Sequence, residues 1–392
     1  MTALEYAQEL IRFKTISTDS NVAIAEYLQG VLERMGFETE WIEYERPEGV
    51  RKANVVGKKG GGRGGLAYFG HTDVVPADSW FSDEHGPFSP MVREGLLYGR
   101  GSCDMKGSVA CMLAAAERFR PEELNEPIYV GLTADEEVGY YGAAEIAQRS
   151  RLFREMVEGQ SRGIIGEPTE LEVVYAHKGA YWMRATSRGR AAHSSTREGV
   201  NANLAMIPYL VEMKRIYDET ETDPAWQNEE FDPPTICWNI GINDFTRALN
   251  ITPAQSVCTV CFRPMPGQKV EKLIERARRA AETHGLEFEL PLAAPPLYID
   301  PDSEYVREVV RLAGKERPKT VSYGTDGTQF TELKRLVVIG PGSVAQAHTI
   351  DEWISLEQLE RGTETYARFI RYTLLRLQLG HDLTTLTYGG TP

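Results

Sequence analysis

The chain of 392 residues is 42% hydrophobic and carries a net charge of -14. That length supports a full core and points to two domains rather than one. The acidic balance, with no Lys/Arg run, argues against a nucleic-acid partner, and no apolar stretch has the length a membrane-spanning helix needs.

Residues 2–13 read as an amphipathic helix, and a second helix over about residues 20–36 ends at Gly36. The start lacks the basic and then apolar segments of a secretory signal. With five cysteines that suit a reducing compartment, the expected location is the cytoplasm. The Gly-rich residues 60–65 form a hairpin or exposed loop rather than a phosphate cradle, because no helix start or Lys-Ser/Thr follows them. "LAYFGHTD" reads as a buried strand, "GSVACMLAAAERF" as an apolar helix and "PIYVGLTADEE" as another strand. "RGIIGEPT" and "RLVVIGPG" repeat the form of an apolar strand ending in a polar loop. The expectation is an α/β domain with a mixed, mostly parallel sheet flanked by helices. Ligands of such sheets bind beyond the carboxyl ends of the strands.

From about residue 180 the pattern changes to strand, helix, two strands, helix, strand. This β-α-β-β-α-β order is the ferredoxin-like unit, and it sits as an insert. The expected domains are therefore 1–178 together with 290–392, interrupted by 179–289. Cys258 and Cys261 form a C-x-x-C in a strand-like run with no second pair, so they read as packing. Cys103 reads the same way. The polar tail "GHDLTTLTYGGTP" reads as loosely held.

Chemistry concentrates at the strand ends. His71 is followed by Asp73, and a histidine with a carboxylate beside it is an arrangement that metal sites use. Asp104 precedes an apolar helix, Glu136 and Glu137 adjoin at a strand end, Glu167 follows another, and His348 lies in a Gly-rich loop. Alone, each has a plain structural explanation. Together, His, Asp, Glu, Glu and His suit zinc with nitrogen and oxygen ligands. One shared carboxylate would let two ions sit roughly 3.5–4 Å apart. Glu136 then remains free to act as a base on water.

The segments "GHTDVVP", "GRGSCDMKG", "DEEVG", "GEPT" and "AQAHTIDEW" resemble, in order, the dinuclear zinc peptidase and amidohydrolase family. That family holds acetylornithine deacetylases, succinyl-diaminopimelate desuccinylases, aminoacylases and glutamate carboxypeptidases. The resemblance implies two Zn2+, with Co2+ as a substitute. It implies that His71, Asp104 and Glu167 bind one ion and that Asp104, Glu137 and His348 bind the other. It makes Asp104 the bridge, Glu136 the general acid/base and Asp73 the residue that orients His71. It also implies a cis Asp104–Met105 peptide.

The insert matches the family's lid and dimerisation domain. A homodimer through 179–289 is expected, with His193 steadying the oxyanion in the other subunit's site. Arg263 and Asn250 resemble residues that grip a substrate carboxylate, although Cys261-Phe262-Arg263 stands where Asp-x-Arg is common. "GTDGTQF" places Gly324, Thr325 and Asp326 at the substrate, with Asp326 facing an ammonium group. His177 suits a supporting role behind the ligands. "IIGEPTELEVVYAHKGAYW", "AAHSSTREGVNAN" and "GPGSVAQAHTIDEW" lean toward the acetylornithine deacetylases. The expected reaction is hydrolysis of a small N-acyl amino acid, N-acetylornithine to ornithine and acetate. The alternatives are a desuccinylase, another deacylase or a carboxypeptidase of the family. An intact Glu136 and a full ligand set argue against a non-catalytic binding relative.

Overall fold

The computed structural model describes residues 1–376. The polar tail from Gly380 lies outside the described residues. The chain divides into two units. Unit 1 comprises Met1–Tyr175, Ile299–Lys319 and the chain from Thr325 onward; unit 2 comprises Ala176–Tyr298 and Thr320–Gly324.

Unit 1 is built on one sheet. Its strands run in the order Glu38–Glu45, Arg51–Lys59, Ile128–Thr133, Leu66–His71, Arg162–Ile165, Leu336–Val338 and Val174–His177. The four from Ile128–Thr133 to Leu336–Val338 pair in parallel. Every residue of those four is buried, as expected where helices cover both faces of a parallel sheet. The flanks are antiparallel. Parallel pairing is thus the centre of the sheet rather than most of it. The reason is local: the short turn between Glu45 and Arg51, closed by Arg46 N–H to the Val50 carbonyl at 2.9 Å, only lets the chain fold back.

The parallel register brings the polar ends together. Phe69 pairs with Ile165, Gly70 with Leu132 and His71 with Thr133. Under them, Phe69 stacks on Phe330 at 4.2 Å and Phe153 meets Phe330 at 5.1 Å. Truncating one such buried ring to alanine costs about 3–5 kcal/mol. The helix Lys106–Ala116 is buried along its whole length. Gly70 lets it approach, since a Cβ there would lie 3.0 Å from Met105 Cε and Val109 Cγ2. This close approach sets Asp104, at the helix start, beside His71. A small antiparallel sheet of Met91–Arg93, Leu96–Tyr98 and Trp353–Ser355 completes the surroundings.

Unit 2 has the β-α-β-β-α-β order that the sequence predicts. Its strands are Ala180–Arg188, Cys237–Asn243, Gln255–Arg263 and Glu287–Ala294, and its helices are Ala202–Thr222 and Glu271–Thr283. The sheet order is Cys237–Asn243, Gln255–Arg263, Ala180–Arg188, Glu287–Ala294, all antiparallel. The range 179–289 lies inside this unit. The unit extends further because Ala176 pairs with Tyr298 and His177 with Leu297. Its last strand also runs on to Ala294, past a register shift between Glu289 and Leu292. Pro291 falls in that shift, on an edge strand where a missing N–H is tolerated.

Candidate metal centre

His71 is the last residue of its strand and is 1% exposed. Its Nδ1 donates to the main-chain carbonyl of Asp73 at 3.0 Å. A carbonyl only accepts, so this bond fixes the tautomer and leaves Nε2 as the nitrogen for a ligand. Nε2 lies 3.0 Å from Asp104 Oδ1 and 3.8 Å from Glu167 Oε1. On the other side, His348 Nε2 lies 3.0 Å from Glu137 Oε2 and 3.4 Å from Asp104 Oδ2. Asp104 therefore stands between the two imidazoles, one oxygen toward each. The Asp104–Met105 peptide is cis.

The Asp73 carboxylate does something other than what the sequence suggested. It stands 3.7 Å from His71 Nδ1, beyond hydrogen-bond reach. Its oxygens instead accept the amides of Glu136 at 3.2 Å and Glu137 at 3.4 Å, and the Ser17 hydroxyl at 2.7 Å. Asp73 thus touches His71 through its main chain and holds the Glu136–Glu137 turn through its side chain.

The same turn is anchored from behind by Asp135, which is fully buried and has a φ of 60°. Its carboxylate meets Tyr44 Oη at 2.8 Å, Lys52 Nζ at 2.7 Å and Arg46 at 3.4 Å. Lys52 also donates to the carbonyls of Ser17 and Asp19. Sequence reading passed over Asp135, Lys52, Ser17 and Glu352. A signal existed for Lys52, since it directly precedes the apolar run "ANVV" in a strand that is buried from Lys52 to Gly57. Nothing comparable marked Ser17.

The electrostatics call for cations. Burial, and then Glu167, push the Glu136 carboxyl well above its ordinary range. Burial, and then Asp104, do the same to Glu167 and raise Glu137. Burial also opposes ionisation of Asp104, but hydrogen bonds from His348 and His71 win and hold it below the usual range. Two sets of three each bring their ligand atoms within 4.8 Å of one another: His71, Asp104 and Glu137, and His71, Glu136 and Glu167. Tetrahedral zinc, with bonds of about 2.0–2.2 Å, separates its ligand atoms by roughly 3.3–3.6 Å. The imidazole–carboxylate distances straddle that value, so the donor set fits a pair of divalent ions.

Asp326 is 2% exposed and sits at the same end of the sheet. Its Oδ2 accepts the Thr133 hydroxyl at 2.6 Å, while Oδ1 is buried without a hydrogen-bond partner. Burial raises its carboxyl to about 7. The Thr325 hydroxyl accepts the Gly327 amide at 3.0 Å, and Gly324 belongs to the short unit 2 segment.

His193, Asn250 and Arg263 lie in unit 2. His193 is exposed, pairs with Ile251 across a bridge and has Nδ1 at 2.7 Å from the Ser195 hydroxyl. The Asn250 carbonyl accepts the Ser194 amide at 2.9 Å, so the two candidates share one loop pair. Arg263 closes its strand with a buried Nη1 that has no hydrogen-bond partner. His177 is also in unit 2; it is buried, and its Nδ1 donates to the Lys178 carbonyl at 2.8 Å. Burial pushes it down to about 4.

The profile of "Peptidase family M20/M25/M40" matches residues 67–372. The chain belongs to peptidase family M20/M25/M40. It is 34% identical over 377 residues to acetylornithine deacetylase of Myxococcus xanthus, covering 93% of this chain and 95% of that one. It is 33% identical over 390 residues to acetylornithine deacetylase of Proteus mirabilis, covering 94% and 96%. Among solved structures, an M20 metallo-carboxypeptidase of Sulfolobus solfataricus superposes with a TM-score of 0.77 at 18% identity, covering 95% of this chain and 99% of that one. A dinuclear metal-binding M20 peptidase of Bacillus subtilis superposes at 0.62 with 14% identity, covering 95% and 97%. The M20 chain is thus an enzyme of a metal-dependent peptidase and deacetylase family, with a matching donor set in unit 1.

Proposed function

We propose that this M20 enzyme is a zinc-dependent amidohydrolase that cleaves N-acetylornithine to ornithine and acetate. The observation that carries the hydrolytic part is the place of Glu136. Its buried carboxylate faces the same space as His71 and Glu167, yet five other side chains already suffice to hold two ions. We assign His71, Asp104 and Glu167 to one ion and Asp104, Glu137 and His348 to the other. When bound, two zinc ions supply a polarised amide carbonyl and a water of lowered pKa. Glu136 is the carboxylate placed to hold a proton beside His71 and Glu167 and to pass it to the leaving amine. Asp73 and Asp135 keep Glu136 aimed by gripping the main chain and side chain of its turn.

The substrate's carboxylate goes to Arg263, whose Nη1 has no partner of its own; Asn250, which lies with His193 beyond the other end of that strand, is assigned to the same substrate. The ornithine ammonium goes to Asp326. His193 steadies the oxyanion and acts in trans within a homodimer. Unit 2 supports that assembly with an apolar face: Leu204, Ile207 and Val211 on one side of a helix, Ile242 on the edge strand, and Phe245, Leu249 and Ile251 in the loop beyond are all exposed. An open edge strand beside such a face invites a second copy. The cysteines of the described residues are all free, and among those residues no helix is long and apolar enough to cross a membrane; we place the reaction in the cytoplasm.

The similarity to the two deacetylases supports the acetyl preference. The deciding experiment measures amine release from acetyl-, succinyl- and glutamyl-amides, with zinc, with cobalt and after chelation. Metal-dependent hydrolysis with the highest kcat/KM on N-acetylornithine is the expected result. A succinyl preference would move the chain to the desuccinylases. No hydrolysis of any amide with either metal would overturn the enzymatic reading.

A further inference from the structure

Glu352 lies shortly beyond His348 in the chain and is 1% exposed. Its carboxylate is fully engaged. Oε1 accepts the amides of Cys103 and Asp104, each at 2.9 Å. Oε2 accepts the Gly101 amide at 3.0 Å and Arg100 Nη1 at 2.8 Å. Three amides of one tight turn thus converge on a single buried anion. The turn cannot open elsewhere. Gly101 has a φ of +84°, and a Cβ there would lie 2.8 Å from Val74 Cγ1, so only glycine fits. The main chain adds to the grip: the Gly99 amide donates to the Glu352 carbonyl at 3.1 Å, and Trp353 pairs with Tyr98.

We propose that Glu352 is a positioning residue for Asp104. Its carboxylate organises the turn from Gly101 to Asp104 so that the two Asp104 oxygens face His71 and His348. It also ties that turn to the segment carrying His348, so ligands from distant parts of the chain are set against each other by one side chain. The proposal rests on the reading of Asp104 as the ligand shared by two ions. All four acceptor positions of this carboxylate are taken, three of them by amides next to a shared ligand, and that specifies the path of the main chain there.

The test uses the full chain stripped of metal. Co2+ is titrated in, followed by its visible absorption and by competition with a chelating dye, for the parent, Glu352→Gln and Arg100→Gln. Glutamine keeps the shape, loses the charge, and turns an N–H2 toward amides that are themselves donors. Loss of a group supporting a metal ligand typically weakens metal binding about 10–100-fold. That loss is expected for Glu352→Gln, with an altered absorption band for bound Co2+. Arg100→Gln spares the Cys103 and Asp104 amide contacts, so a smaller weakening in the same direction is expected. At saturating Co2+, Glu352→Gln should lower kcat and leave KM unchanged. A purely structural anchor would lower the apoprotein's Tm while the folded fraction kept parental affinity and spectrum; that result overturns the proposal. If Glu352→Gln does not fold, parental binding by Arg100→Gln overturns it instead. A parent that takes up fewer than two ions overturns the shared-ligand reading, and with it this proposal, before any substitution is made.

Discussion

The metal-facing end of unit 1 and the candidate residues of unit 2 are built in opposite ways. In unit 1, Asp73, Asp135 and Glu352 are buried and already engaged, by an amide pair and a hydroxyl, by a tyrosine, a lysine and an arginine, and by three amides and an arginine. In unit 2, His193 and Asn250 are exposed and Arg263 keeps a guanidinium nitrogen unanswered. The contrast matches what each is proposed to bind. Ions with fixed bond lengths reward a frame set before they arrive. A substrate that enters and leaves rewards groups whose partners are still to come.

The sharpest break of this comparison is at Glu136. Glu136→Gln should retain both metals and lose turnover on the order of 10²–10⁴-fold or more. Metal analysis beside steady-state kinetics checks it, and near-parental turnover in a metal-filled variant would show that the two adjacent glutamates have been assigned the wrong way round.

His193 comes next. Losing one oxyanion donor costs about 10²–10³ in kcat, and the proposed trans role would make that loss reversible. Mixing Glu136→Ala and His193→Ala chains under subunit exchange should restore about one working site per heterodimer, because the site that keeps Glu136 borrows His193 from its partner. A mixture shown to exchange that stays inactive confines His193 to its own chain, and a monomer by light scattering removes the premise.

Arg263→Ala should raise KM for free-carboxylate substrates roughly 10–100-fold, the scale of a hydrogen bond to a charged group. KM for the matching methyl esters should change far less. Equal losses on both sets would take Arg263 away from the carboxylate.

The smallest effect concerns pH. In the metal-free protein burial raises the carboxyls of Glu136, Glu137 and Glu167. His348 rises to about 10, chiefly through its hydrogen bonds to Asp104 and Glu137. All four bind protons more tightly folded than unfolded. The stability tied to those protons is present below the ordinary values and is lost as pH climbs through the raised ones. The apoprotein should therefore melt lower at about pH 8.5 than at about pH 6, and the rise in Tm on adding zinc should be larger at the higher pH, since zinc displaces those protons. An apoprotein whose Tm is flat or rising over that interval would contradict the burial of these groups.

Much of this was legible in the sequence, for a physical reason. Buried parallel strands must be apolar along their length, so "LAYFG", "YVGLT" and "RGII" announce themselves, and the first polar residues after them must emerge at one end. His71, Glu136, Glu137 and Glu167 follow from that rule alone. The edges were less legible because a hairpin such as Glu38–Lys59, with one half-exposed strand, carries a weaker pattern. The supporting carboxylates were hidden for another reason. Asp135 and Glu352 look like ordinary surface acids in a sequence; only their three-dimensional partners, up to 252 positions away in the case of Arg100 and Glu352, reveal them. The family resemblance gives Asp73 the orienting of His71, whereas in the structure its side chain serves the Glu136–Glu137 turn.

The pairing of Ala176 with Tyr298 and of His177 with Leu297 bears on ancestry. Partners across an antiparallel ladder stand about 4.5–5.5 Å apart, close enough for a two-residue hairpin turn to join them. The long excursion between them is topologically a cassette. Exchanging that stretch leaves behind only the short Thr320–Gly324 segment of unit 2, and every residue assigned here to metal is encoded outside it. Recombination there would leave the proposed metal ligands intact while His193, Asn250 and Arg263 were replaced.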